Sequence, residues 1–104
     1  MKSIIKGNEK GTCFICGRMG YTEEHHIFEG SNRTASEKRG LKVDICLEHH
    51  RGYNGVHTSR GKEIMDWLHE VGQMAYEDYV MEHEGVTQEE ARKMFRKEFI
   101  KSRL

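Results

Sequence analysis

Two knuckles with metal-ligand spacing constrain this chain more than anything else in it: Cys13-Phe14-Ile15-Cys16 and, further on, Cys46-Leu47-Glu48-His49. Two thiolates separated by two residues can close a tight turn around one ion, and a second knuckle of the same spacing completes a tetrahedral Cys₃His set. Structural zinc at Cys13, Cys16, Cys46 and His49 is therefore expected. The competing reading, a redox pair or ordinary buried thiols, would need the βαβ pattern of a thioredoxin-like motif, and no such pattern is present. Three cysteines are an odd number and fit a secreted disulfide framework poorly. With no apolar signal segment and no run of membrane length, a reducing cytoplasm is the expected compartment and no membrane partner is expected.

The histidines supply a second constraint. Five of the seven, His25, His26, His49, His50 and His57, fall with all three cysteines between residues 13 and 57. His25 and His26 are adjacent, so on an extended strand they point to opposite faces, and His50 directly follows the second knuckle. Once His49 is assigned to zinc, the others need a different role. Taken singly, a His pair beside Glu23 and Glu24 reads as a polar turn, and His57 in Gly55-Val56-His57 as a loop hydrogen-bonding group. In register with a zinc frame they read together as a site.

In that arrangement the segment from Cys13 to about Thr58 resembles the HNH endonucleases, also called His-Me finger or ββα-metal nucleases, in their small zinc-stapled form. The resemblance implies a β-hairpin and short helix held by the two knuckles, and a metal-dependent DNA endonuclease of the kind often encoded by phages, working in a bacterial or phage-infected cell. It makes His25 a ligand of the catalytic ion, His26 the general base and His50 the metal-binding His after the second knuckle. The family's middle motif is an Asn that orients the catalytic His. At the corresponding spacing this sequence has Gly40 and Leu41, which leaves Asn32 upstream, Asn54 downstream or backbone carbonyls as substitutes.

Phosphodiester hydrolysis asks for the same parts independently: a nucleophilic water, a group to take its proton, and positive charge beside the phosphate and the leaving 3′ oxygen. A neutral imidazole can take that proton near pH 7. His25 and His50 can hold one divalent ion, with Asn54 one helical turn beyond His50, and His57, as further candidates. Nitrogen-rich ligation suits Ni²⁺, Co²⁺, Zn²⁺ or Mn²⁺, whereas Mg²⁺ prefers oxygen and its own waters. The competing class is a non-catalytic zinc module that binds nucleic acid or a protein.

At 104 residues and 36% hydrophobic content, the chain is expected to form one domain, with residues 13–58 as the zinc and catalytic core and 61–104 as a helical extension. Its net charge is zero, but unevenly distributed. Residues 32–62 carry seven Lys/Arg against three Asp/Glu, residues 63–90 carry nine acids and no Lys or Arg, and residues 91–104 carry six Lys/Arg against Glu98. A basic surface facing DNA is expected around the site, with Arg33, Lys38, Arg39 and Arg51 on phosphates and the acidic block turned to solvent.

The expected fold class is α+β: residues 1–12 a loose lead-in, strands at 21–28 and 41–46, a polar loop over 29–40, and a short helix over 47–53. Ile64, Trp67, Leu68, Val71, Met74, Ala75, Tyr79 and Val80 form one apolar stripe on a helix over 62–83, stopped by Gly85. Thr87 with Glu90 is a capping-box signature, and Ala91, Met94, Phe95 and Phe99 mark a second helix to about residue 102. These stripes read as core. What they leave exposed can serve a homodimer.

Overall fold

The computed structural model describes residues 1–99. Strands β1 (Glu23–His26) and β2 (Lys42–Ile45) form an antiparallel pair in which His25 lies opposite Val43 and His26 opposite Lys42. Cross-strand partners share a face, so this register sorts the histidines. His25 turns with Val43 and Ile45 toward the core, while His26 shares the other face with Glu24 and Lys42. Leu41, Val43 and Ile45 are fully buried, in keeping with the alternation read from the sequence.

The polar segment between the strands is not a loop. It forms a single 3₁₀ turn (Gly30–Asn32) and then helix α1 (Arg33–Lys38). One apolar residue, Ala35, is too little to show a helical period, and the anchoring is polar instead. The buried hydroxyl of Ser36 donates to the Leu41 carbonyl (2.6 Å) and accepts the Phe28 N–H (3.3 Å), bracing α1 between the two strands. Ser favours such local side-chain to backbone bonds, and here tertiary contacts turn that tendency into a helix.

Residues 1–12 are not loose either. The Ile4 N–H donates to the Gly40 carbonyl (2.9 Å), the Ser3 hydroxyl to the Lys42 carbonyl (2.6 Å), and Asn8 Oδ1 accepts the Asp44 N–H (2.7 Å). The lead-in thus covers the free edge of β2, whose backbone groups would otherwise lack partners. Ile5 joins the core at 5% exposure. Gly40 permits the approach: it has φ +69°, and a Cβ there would collide with the Lys2 carbonyl oxygen.

Helix α2 (Leu47–Arg51) follows β2 directly and is shorter than the residue 47–53 reading, because Gly52 takes extended backbone angles. After a second 3₁₀ turn (Ser59–Gly61) come the long helix α3 (Lys62–Glu84), which stops at Gly85, and α4 (Gln88–Glu98). Thr87 forms the expected capping box: its hydroxyl accepts the Glu90 N–H (3.1 Å) while Glu90 Oε1 accepts the Thr87 N–H (2.9 Å). The extension of this helix to residue 102 lies outside the described residues.

The apolar stripe of α3 is rotated from the one the hydrophobic residues suggest. Leu68, Gly72, Tyr76 and Val80, spaced by four, are buried, whereas Trp67 and Met74 are exposed at 43% and 65%. Gly72 explains the rotation. A Cβ there would stand 2.9 Å from both Ile27 and the Phe28 ring, so the residue that follows β1 packs against bare helix backbone. Phe28 then meets Phe95 at 5.4 Å and Phe99 at 4.9 Å, and Tyr76 meets Phe95 at 5.3 Å, an aromatic cluster joining β1, α3 and α4. The architecture is α+β, two antiparallel strands with helices. Among the described residues no helix is long and apolar enough to cross a membrane.

Candidate metal centres and the histidine cleft

The two knuckles converge. Ligand atoms of Cys13, Cys16, Cys46 and His49 all lie within 4.8 Å of one another, with Cys46 Sγ 3.3 Å and Cys13 Sγ 3.9 Å from His49 Nδ1. Cys13 and Cys16 sit on the turn after the lead-in, and Cys46 and His49 on the first turn of α2. The Cys13 thiol is lowered to about 6: burial works against ionisation, but N–H groups of Cys16, Cys46 and Ile15 outweigh it. The Cys46 thiol is pushed up, first by burial and then by its bonds to the neighbouring thiols. Three sulfurs this close cannot all ionise without a cation among them, and a divalent ion removes that conflict. This cluster can bind a metal ion.

A second cluster lies in a cleft of about 320 Å³ lined by Glu24, His25, His26, Glu29, Arg33, His50 and His57. Ligand atoms of His25, His50 and His57 all lie within 4.8 Å of one another, and their ring centroids are 4.9–5.4 Å apart. A carboxylate faces the Nδ1 side of each ring. Glu23 Oε1 accepts from His50 Nδ1 at 2.8 Å, and Glu29 Oε1 stands 3.2 Å from His57 Nδ1 and 3.7 Å from His25 Nδ1. Glu23 so placed holds the His50 proton on Nδ1 and leaves its Nε2 lone pair free, the second shell usual for metal-ligating histidines, while Glu29 stands beside His25 and His57 without a hydrogen bond to either.

Burial reinforces the point. His25 is 2% exposed and its Nε2 has no hydrogen-bond partner. Desolvation, aided by the neighbouring His50 and His57, lowers its pKa to about 3, so this imidazole is neutral with its lone pair available. Glu29 Oε1 is buried without a hydrogen bond as well, and burial raises that carboxyl. Orphaned polar atoms at this depth normally mark an ion or water.

The residues read from the sequence part company here. His25 and His50 come together, with His57 completing the group. Asn54 does not join them: α2 ends at Arg51, so no helical turn carries Asn54 back, and it lies exposed in the following turn with its N–H on Glu48 Oε2 (3.2 Å). Asn32 is buried where the 3₁₀ turn meets α1 and does not line the cleft. His26 lines it, with Nε2 2.7 Å from Glu37 Oε1, and this carboxyl is lowered to about 2, chiefly by His26 and then by Lys42.

The basic side chains divide similarly. Arg33 opens onto the cleft and Lys38 is exposed on α1. Arg39 is instead committed to Glu98 through two bonds of 2.6 and 2.7 Å and lies over the Tyr76 ring, tying α1 to α4. Arg51 reaches Glu23 Oε2 at 3.0 Å but keeps most of its side chain in solvent. The acidic block is not all solvated: Glu77 is buried and bound by Gln73, Gln88 and Arg92.

Glu23, Glu29 and Glu37 escaped sequence reasoning. Strand alternation does place Glu23 on the face of His25, a usable signal. Glu29 follows the strand and Glu37 sits on a helix that polar composition disguised, so neither carries a periodic mark. No family model, curated protein or solved structure matches this chain.

Proposed function

We propose that the chain is a metal-dependent endonuclease hydrolysing phosphodiester bonds in DNA, built on a ββα-metal unit stapled by zinc at Cys13, Cys16, Cys46 and His49. One observation carries the reading. Three imidazoles, each with Nδ1 toward a carboxylate and one with a buried orphan Nε2, converge in an open cleft that also holds His26 and Arg33. The Cys₃His donor set suits structural zinc. The imidazole set suits Ni²⁺, Co²⁺, Zn²⁺ or Mn²⁺ better than Mg²⁺.

When bound at His25, His50 and His57, a divalent ion polarises the phosphate and stabilises the leaving 3′ oxygen. The remaining work falls to side chains. His25, kept neutral by burial, and His50, oriented by Glu23, hold the site open toward the cleft. His26 takes the proton of the attacking water. Arg33 offers a planar cation for a phosphate oxygen at the rim.

The competing reading, a non-catalytic zinc module for nucleic acid or protein, draws on the engagement of Arg39, Arg51 and His26 with carboxylates. Nicking of supercoiled plasmid over a titration of divalent metals separates the two. Wild type is expected to nick only with added metal. His26→Ala is expected to lose about a hundredfold or more in rate with zinc content and melting unchanged. Zinc-loaded wild type that nicks with no metal tested gives the competing reading its place.

A further inference from the structure

His26 is not a free imidazole. Its side chain is 10% exposed, and its Nε2 lies 2.7 Å from Glu37 Oε1, a contact between the end of β1 and the last turn of α1. The same carboxylate takes the Lys42 ammonium at 3.0 and 3.1 Å and the chain's amino group at 3.2 Å. Glu24, His26 and Glu37 bring ligand atoms within 4.8 Å of one another, but Lys42 Nζ, 3.5 Å from Glu24 and 3.0 Å from Glu37, already supplies the cation. The group is a closed network of charge around one edge of the imidazole.

We propose that Glu37 is the positioning residue of this site: it accepts the Nε2–H of His26, holds that tautomer, and leaves Nδ1 as the nitrogen that takes the proton of water in the cleft. The proposal rests on the endonuclease reading, in which His26 is the base, and it fills the orienting role for which the sequence offers Gly40 and Leu41. Four features support it. Glu37 holds Nε2 at hydrogen-bond distance, and an imidazole with one nitrogen so held has one basic lone pair left. His26 lines the cleft shared by His25, His50, His57 and Arg33. Lys42 and the amino group fix the carboxylate from its other sides, so it presents one orientation to the ring. Neither Asn32 nor Asn54 lines the cleft. A carboxylate that fixes tautomer and direction without reaching the substrate is an established device of acid–base sites.

The test uses the full zinc-loaded chain labelled with ¹⁵N. Long-range ¹H–¹⁵N correlation of the histidine rings, with His26 assigned by the signal missing in His26→Gln, should show protonated Nε2 and unprotonated Nδ1 in wild type. In Glu37→Ala the ring should become a mixture of tautomers. The same variant should lose about 10–100-fold in saturated nicking rate, the usual cost of removing such a partner, with half-saturating metal concentration and melting temperature near wild type. Lys42→Met removes one of the groups that fix this carboxylate and should loosen the tautomer preference and lower the saturated rate, each by less than Glu37→Ala does. A wild-type ring protonated on Nδ1, or on both nitrogens, overturns the proposal, as does a full saturated rate in Glu37→Ala. Should wild type prove inactive with every metal while Nε2 is protonated and depends on Glu37, the endonuclease reading fails and the positioning contact stands.

Discussion

The strand-and-knuckle region, residues 1–58, and the pair α3–α4 bury polar groups in opposite ways. In the helical pair Glu77 is 3% exposed and fully answered by Gln73, Gln88 and Arg92. In the strand region His25 is buried as deeply, yet its Nε2 is unanswered, and four sulfur and nitrogen donors crowd together at the knuckles. Buried polar groups are almost always partnered; among the described residues the helical pair leaves no such side-chain atom unanswered, whereas the strand region keeps orphaned atoms beside clusters that can bind a metal ion. Tyr76, Phe95 and Phe99 stabilise the helical pair by packing, with Phe28 joining the two regions, whereas on our reading metal ligation stabilises the strand region.

The sharpest break in that comparison is Cys46→Ser. If zinc and folding are one equilibrium in the strand region, the loss approaches the apparent binding free energy of such sites, about 10 kcal/mol or more. Elemental analysis should show that zinc gone, with amide resonances of β1, β2 and α2 collapsed and helical circular dichroism from α3 and α4 largely kept. A folded strand region without zinc would end the idea that the two regions are held differently. Phe95→Ala attacks the other side. It should lower stability by about 3–5 kcal/mol, read from denaturant midpoints, with zinc content unchanged.

Gly72→Ala probes the seam. Its Cβ would press on Ile27 and Phe28 at 2.9 Å, so a cost of about 1–3 kcal/mol is expected, together with shifted resonances of the neighbouring His25. An unchanged midpoint would show the regions to be looser neighbours than this contact implies.

A further effect is in pH. His25 has its folded value lowered to about 3 from 6.5, so between these values the unfolded chain binds the extra proton. Stability therefore rises with pH across that window and is lost as pH falls below about 6.5. Melting temperatures from pH 7 to 4 should fall less steeply for His25→Leu than for wild type, and equal slopes would mean that His25 does not stay neutral on folding.

Legibility tracked the kind of signal involved. Cys13, Cys16, Cys46 and His49 were readable because ligand spacing is local to each knuckle, and Thr87 with Glu90 because a cap spans one helical turn. The Leu41, Val43, Ile45 alternation told the buried face of β2. Helix α1 was invisible because Ser36 and its partners at Phe28 and Leu41 stabilise it, and those bonds exist only once the strands are paired. The N-terminal lead-in hid for the same reason, since its bonds go to β2.

By itself, then, the sequence determined an α+β chain with two ligand knuckles, a histidine-rich hairpin and two amphipathic helices, since each of these is a pattern within a few turns or residues. Tertiary structure alone decided which carboxylate stands behind each imidazole, that His57 rather than Asn54 joins His25 and His50, and that Arg39 serves Glu98. Most of those pairings link residues far apart in the chain, and the register of β1 on β2 together with the short reach of α2 sets them through distances of a few ångströms that no spacing rule encodes.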